Sequence, residues 1–317
     1  SKESTIEYLA KSKLKNNILF SSIYLNSNLL GILEAFKQFK VPIISFQHGV
    51  TPEISSLSIN IAAAFPANYC DFFVYFNSAG VSTAYKQAFL KNQSFISGLP
   101  KKYFNTKKSS LMSIYNKKEI LYLSMNLYRG FFSGFVTYLN DYCKAKEEIS
   151  FIENVLSKIP YKVDYKPYIL ENIRYLDKDP ILEYIKKYPN LYLLNKEIDA
   201  RFVIADYRLI ITTHASSTFS WVILSDIPTV FINSKNTAPL KENLKIEIKE
   251  AIFFFDESEL HYKKKLIKLL SQPISLLEDI YKDKREKRID FKKKYFSKYE
   301  GKAGKRTKDF VLKKYFN

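Results

Sequence analysis

Glycine is scarce in this chain, with eight residues in 317. None of them falls into a P-loop or a GxGxxG fingerprint, and HExxH and GxSxG are missing too. The usual nucleotide-loop, zincin and serine-hydrolase signatures are therefore excluded. Cysteine is scarcer still: Cys70 and Cys143 cannot staple a chain this long and sit in no metal-ligand spacing. Both are expected as buried reduced thiols, and no metal site is expected. No run of 18 apolar residues occurs, which argues against a membrane-spanning helix. The opening Ser1-Lys2-Glu3-Ser4-Thr5 has neither a Met nor a signal-peptide core, and reads as the trimmed start of a cytoplasmic protein. Histidine is limited to His48, His214 and His261.

The chain does have apolar residues enough to fold, 46% of the total, and length enough for two domains. Its formal net charge of +18 is unevenly spread. Residues 282–317 carry 15 Lys/Arg against five Asp/Glu, interleaved with Phe291, Tyr295, Phe296, Tyr299, Phe310, Val311, Leu312, Tyr315 and Phe316. Two readings of this helical tail stay open. It is a solvated charged face over an apolar contact stripe, or it attaches to an anionic membrane surface. No RNP, zinc-finger or helix-turn-helix signature supports nucleic acid as a partner.

Along the first hundred residues strand-like and helix-like stretches alternate. Strands are expected over 17–24, 41–46, 71–76 and 94–97, with helices over 28–40, capped by Asn28, and over 81–90. Pro42 fits only at the start of its strand. A polar stretch, 101–118, lacks periodicity and reads as a linker. Beyond it the alternation restarts. Strands are expected at 119–124, 162–166, 191–194, 209–213 and 228–232, and helices at 135–159, 180–188, 198–205 and 216–225. Such alternation implies parallel sheets covered by helices, an α/β fold of two Rossmann-like domains. The expected division is 1–105, 116–275 and a basic helical tail, 276–317. Ligands of such domains bind at the carboxyl ends of the strands.

Two strand ends carry candidate chemistry. Gly49 follows His48 directly after one strand, and Gly98 follows another, where glycine permits positive φ or a close approach of a ligand. His48 at that point is either a site residue or a histidine bonding its own turn. Glu53, just beyond, is a possible second acid/base group, with a solvated loop carboxylate as the alternative. The second stretch is Thr212-Thr213-His214-Ala215-Ser216-Ser217-Thr218, between a buried strand and a helix start. Free helix N–H groups, the helix dipole and hydroxyls converge there, which suits a phosphate or diphosphate. Plain capping by Ser216 or Ser217 needs no ligand, and both can hold together. Tyr168, after Lys166-Pro167, ends a strand on the same side.

These stretches occur in a characteristic order: Ile44-Ser45-Phe46-Gln47-His48-Gly49, Ser97-Gly98-Leu99-Pro100, Lys166-Pro167-Tyr168, then His214 to Trp221 with Asp226-Ile227-Pro228-Thr229-Val230. The order resembles that of bacterial surface-polysaccharide transferases of GT-B type over roughly residues 17–235. Capsule Kdo transferases are the nearer likeness and CDP-glycerol glycerophosphotransferases the more distant. The resemblance implies a first domain lacking its opening strands, a donor held mainly by the second domain, and no obligatory metal or cofactor. It implies that His48 is the acid/base or acceptor-side group, with Gln47 and Gly49 beside it on the acceptor side, and Glu53 stays the candidate second acid/base group. Ser216, Ser217 and Thr218, with Lys166, Tyr168, Gly98 and His214, would hold the donor phosphates. Where related proteins commonly carry His-Pro this chain has Pro167-Tyr168, and His214 is the group available to replace that histidine.

The function expected is therefore transfer of a sugar or polyol-phosphate unit from a CMP-, CDP- or UDP-linked donor to a glycan or lipid-linked acceptor in capsule synthesis. The tail would hold the enzyme peripherally on the inner membrane face. A sugar-nucleotide epimerase of the same shape, or a degenerate module binding glycan or partner enzymes, are the alternatives.

Overall fold

The computed structural model describes residues 2–11, 17–21, 27–56, 67–87, 93–107, 117–124, 140–168, 179–194, 197–236, 239–299 and 301–316. The chain divides into two compact units. The smaller comprises 1–53, 58–101 and 293–317; the larger comprises 54–57 and 102–292.

The smaller unit is built on four short strands, β1 (Leu19–Ser21), β2 (Ile43–Phe46), β3 (Phe72–Tyr75) and β4 (Gln93–Ile96). They pair in that order, all parallel. Pro42 lies just before β2, where its missing N–H costs no ladder bond, and its carbonyl accepts from Leu19 N at 2.9 Å. Helix α1 (Lys2–Lys11) packs on α2 (Ser27–Gln38), which starts one residue before the expected cap Asn28. Helix α3 (Ser78–Gln87) starts three residues earlier than its periodicity suggested. Asn77 caps it, accepting from Gly80 N at 2.7 Å. Expected strand residues 22–24 and helix residues 88–90 lie outside the described residues.

The larger unit opens with a 3-10 helix over most of residues 101–107. Its strands are β5 (Lys118–Leu123), β6 (Val163–Lys166), β7 (Leu191–Leu193), β8 (Tyr207–Thr212), β9 (Thr229–Asn233) and β10 (Phe253–Asp256). All pair in parallel, in the order β10-β9-β8-β5-β6-β7. The direction of winding reverses between β5 and β8, so a crevice opens at their carboxyl ends. Helices α4 (Asp141–Asn154), α5 (Pro180–Ile185), α6 (Ser217–Ser225), α7 (Glu242–Ala251), α8 (Tyr262–Leu270) and α9 (Ile274–Asp283) connect and cover the strands. Asn140 caps α4 through Cys143 N at 2.8 Å, so the helix expected from 135 is helical from 141, with 135–139 outside the described residues. Asp179 caps α5, whose first residue is Pro180. The helix expected over 198–205 is two 3-10 turns, Ala200–Phe202 and Ile204–Asp206, because Asp199 turns the chain by accepting from Arg201 N at 3.0 Å. Cys70 is buried as expected, but Cys143 is only half-buried on α4.

Two further helices follow, α10 (Arg285–Tyr295) and α11 (Ala303–Tyr315). The basic tail is not a separate appendage. Residues 276–292 pack in the larger unit and 293–317 in the smaller. Phe310 stacks on Phe95, with ring centroids 4.3 Å apart, and lies 4.8 Å from Phe72. Val311 joins Ile44, Phe72 and Val74 in one buried cluster. A buried side chain of this size stabilises by roughly 1.5–3 kcal/mol, so α11 forms one wall of the smaller unit's core. Among the described residues no helix is long and apolar enough to cross a membrane.

Candidate functional site

In the larger unit a cavity of about 270 Å³ opens at the carboxyl ends of β5 and β6. It is lined by Leu123, Ser124, Lys166, Pro167, Tyr168, Asp199, Ala200, Ser217, Thr218 and Trp221. Four of the residues expected from the sequence, Lys166, Tyr168, Ser217 and Thr218, thus meet around one hollow. Trp221 is held flat against Tyr103, centroids 4.1 Å apart at 11°, and the Arg201 guanidinium lies 5.8 Å from its ring. Lys166 is buried, and its Nζ donates to Pro167 O at 2.8 Å. Burial lowers its pKa, with Asp199 opposing.

Ser216 occupies the N-cap position of α6, yet its hydroxyl makes no capping bond. Among the described residues that Oγ is buried without a partner, and so are the hydroxyls of Thr212, at the end of β8, and Ser220, in the first turn of α6. Plain capping does not account for the serines here. Buried hydroxyls are nearly always satisfied, so three unsatisfied ones around one helix start are unspent hydrogen-bonding capacity. The first-turn N–H groups of α6 add donors that have no intrahelical acceptor.

His214 does not line the cavity. It is buried, with Nδ1 2.6 Å from Thr213 Oγ1. Burial, with Lys144 nearby, pulls its pKa down to about 3, so the ring is neutral and offers no positive charge to a phosphate. Residues that sequence reasoning missed lie behind it. Glu148 on α4 is buried and accepts from Tyr122 Oη at 3.0 Å and Tyr165 Oη at 2.7 Å. Burial raises its pKa, while hydrogen bonds from Tyr165, Ser124 and Tyr122 pull it back. Ser124, which lines the cavity, is thereby tied to a buried acid. Two tyrosines on adjacent strands facing a helical Glu were the available signal.

The second set of expected residues belongs to the smaller unit. After β2, Gln47 Oε1 accepts from Phe76 N at 2.9 Å, and its Nε2 donates to Gly49 O at 2.9 Å and Glu53 Oε1 at 2.5 Å. Glu53 is 2% exposed, so it is neither a solvated loop carboxylate nor open to solvent. Asn77 Nδ2 also reaches Glu53 Oε1, at 3.2 Å, and holds the carbonyls of Tyr295 and Phe296 at 2.7 and 3.1 Å. A Cβ on Gly80 would sit 2.7 Å from Glu53 Oε1, so a larger residue there would push the carboxylate out of this arrangement. Gln47, Glu53 and Asn77 form a brace for the loop, and His48 is its exposed side chain. Asn77 escaped the sequence reading, although an Asn-Ser pair before a helix is a cap signal.

Gly98 does have the positive φ expected of it, +76°, but not the open surroundings. A Cβ there would meet Arg306 at 2.9 Å, Ser297 at 3.0 Å and Tyr299 at 3.1 Å, so residues of the C-terminal segment fill the space around it. It lies in the smaller unit, whereas Ser216, Ser217 and Thr218 lie in the larger.

A family model of LIC12162 family transferases matches residues 2–259. The chain belongs to that family. No curated protein matches the sequence of this LIC12162 family transferase. Solved structures resemble its fold. A candidate UDP-N-acetylglucosamine 2-epimerase from Listeria monocytogenes is 10% identical with a TM-score of 0.59, over 98% of this chain and 77% of its own. HepE of Anabaena, solved with UDP and glucose, is 10% identical with a TM-score of 0.56, over 98% and 80%. The wall teichoic acid polymerase TagF is 14% identical with a TM-score of 0.51, over 98% and 85%. At such identities the likeness is one of fold, and the transferase has a GT-B-like fold with two parallel sheets and C-terminal helices.

Proposed function

We propose that this transferase moves a sugar or polyol-phosphate unit from a nucleotide-activated donor to a bacterial surface polysaccharide acceptor, as capsule Kdo transferases and CDP-glycerol glycerophosphotransferases do. The observation that carries the reading is the first turn of α6, whose Ser217 and Thr218 line, together with Lys166 and Tyr168, one cavity at the carboxyl ends of β5 and β6. The first-turn N–H groups and the hydroxyls of Ser217 and Thr218 take up the departing nucleotide phosphate, preorganised where negative charge develops. Tyr168 offers a face to a base, Trp221, stacked on Tyr103, closes the wall beside it, and Asp199 offers an acceptor to ribose hydroxyls. UDP-bound HepE shares the fold and supports a nucleotide in this role. On the resemblance, His48 removes the proton of the acceptor hydroxyl in an inverting reaction, and no metal is required. Gln47, Glu53 and Gly49 serve by holding His48 in place. Exposed lysines of the C-terminal segment draw the protein to anionic lipid through charge, since Phe291, Tyr295, Phe296 and Val311 are buried.

Thermal unfolding with CMP, CDP, UDP and GDP tests the donor site. A nucleotide at 100 times its Kd stabilises by about 2.7 kcal/mol, which for this length raises Tm by roughly 4 °C. Ser217→Ala/Thr218→Ala should abolish that shift. No shift with any nucleotide would sink the reading. His48→Ala should leave the shift intact and remove transfer.

A further inference from the structure

A second, larger cavity of about 640 Å³ lies in the larger unit beyond the carboxyl ends of β9 and β10, and it shares no lining residue with the first. Helices α4 and α8 close its sides. Its lining carries three lysines. Lys263 donates to Ser150 Oγ at 3.2 Å. Lys146 and Lys235 make no hydrogen bond or ion pair among the described residues. Two ammonium groups without carboxylate partners at one concave surface favour an anion. Two carboxyl groups, of Glu147 and Glu257, share the lining and limit how much negative charge it tolerates. A dense polyanion such as a diphosphate fits poorly, whereas one acidic group, a carboxylate or a phosphate monoester, on an otherwise neutral body fits well.

The remaining lining suits that body. Asn236 donates its amide to Glu147 at 3.2 Å, and among the described residues its carbonyl oxygen has no donor, which leaves it available to a ligand. Ser258 Oγ donates to Asp256 at 2.6 Å and the Tyr262 phenol to Glu257, so these two oxygens are left as acceptors for sugar hydroxyls. Phe151 supplies an apolar surface under the polar groups. Hydrogen-bonding groups around an aromatic patch are what a sugar ring requires, with its hydroxyl rim and C–H faces.

We infer that this cavity binds an acidic saccharide, a sugar unit bearing a single carboxylate or phosphate, with Lys146 and Lys235 receiving the charge. The site stands apart from the nucleotide site, and neither depends on the other. Ligand-detected NMR titrations of the full chain with glucuronate, glucose 6-phosphate and glucose test it, on the native protein and on Lys146→Ala/Lys235→Ala. At least one acidic sugar should bind more tightly than glucose. Loss of both lysines should weaken it about five-fold or more, the effect of two partly exposed charge contacts. About 1 M salt should weaken it similarly, since screening then acts within ~3 Å. The two acidic sugars distinguish carboxylate from phosphate as the preferred group. Equal binding of glucose and both acids, or unchanged affinity in the double variant, would overturn the inference. Displacement of the acidic sugar by UDP or CDP would do the same, because it would put the sugar in the smaller cavity. Both lysines are exposed, so the variant should melt like the native chain; if it does not, Lys235→Gln alone must still weaken binding. Nucleotide thermal shifts should be the same in both proteins, which separates failure here from failure of the donor reading.

Discussion

His214 should make this protein acid-sensitive, and the size of the effect follows from its burial. An unfolded histidine titrates near 6.5, while burial and Lys144 hold this one down at about 3 in the folded chain. Between those values the unfolded chain binds the proton and the folded chain does not. The linked stability is therefore fully present above pH 6.5 and is lost as pH falls toward 3. At pH 5 the loss is about 2 kcal/mol relative to pH 7.5, or roughly 3 °C in Tm for this length. Other groups titrate in the same window. Glu148 and Glu257 have raised pKa values and act in the opposite sense, so the histidine must be isolated by difference. His214→Asn keeps an acceptor near the Nδ1 position and removes the titration. Urea unfolding of both proteins at pH 7.5 and 5 gives the comparison. The variant is expected to be less stable at pH 7.5, through lost packing, but to lose about 2 kcal/mol less on acidification. Parallel pH dependence in the two proteins would refute a neutral, desolvated His214.

Two other substitutions follow from backbone geometry and ion pairing. Gly98→Ala, at φ +76°, forces an unfavourable backbone region and presses a methyl on Ser297, Tyr299 and Arg306; it should cost about 2 kcal/mol or more in chemical denaturation. Asp226 terminates α6 in the left-handed region and pairs with Arg288 and Lys292 at 2.8 and 3.0 Å. Burial would raise its pKa, but the two cations outweigh that and hold it at about 2, so its contribution is present above 3.8 and lost as pH falls toward 2. Asp226→Asn keeps the backbone preference and should cost about 1 kcal/mol at neutral pH, discounted for partial exposure, with the difference vanishing near pH 2.

Much of the sheet architecture was legible in the sequence, because strands buried on both faces leave short, mostly apolar runs. Ile43 to Phe46, Phe72 to Tyr75 and Thr229 to Asn233 are of this kind. β10 has the same character, Phe-Phe-Phe-Asp, but sits among lysine-rich helices and passed unassigned. The helix start after β8 was legible because hydroxylic residues between a buried strand and an apolar helix have few other uses. Long-range burial was not. Nothing local distinguishes Glu53, sealed beneath Gln47 and Asn77, from a solvated loop acid. Nothing marks His214 as neutral, since that depends on which elements close over it. For the tail the sequence showed an apolar contact stripe but not its partner: an amphipathic pattern tells that a face is covered, not by what.

That covering has a consequence for synthesis. Phe72, Val74 and Phe95 are made early, but the Phe310 and Val311 that bury them emerge only after the whole of 102–292. The smaller unit therefore cannot complete its core on the ribosome in chain order. Its sheet waits with one apolar face uncovered while the larger unit, nearly continuous in sequence, is free to fold first. The last residues translated are thus among those that close the first sheet, so a chain released before residue 310 should leave Phe72, Val74 and Phe95 uncovered.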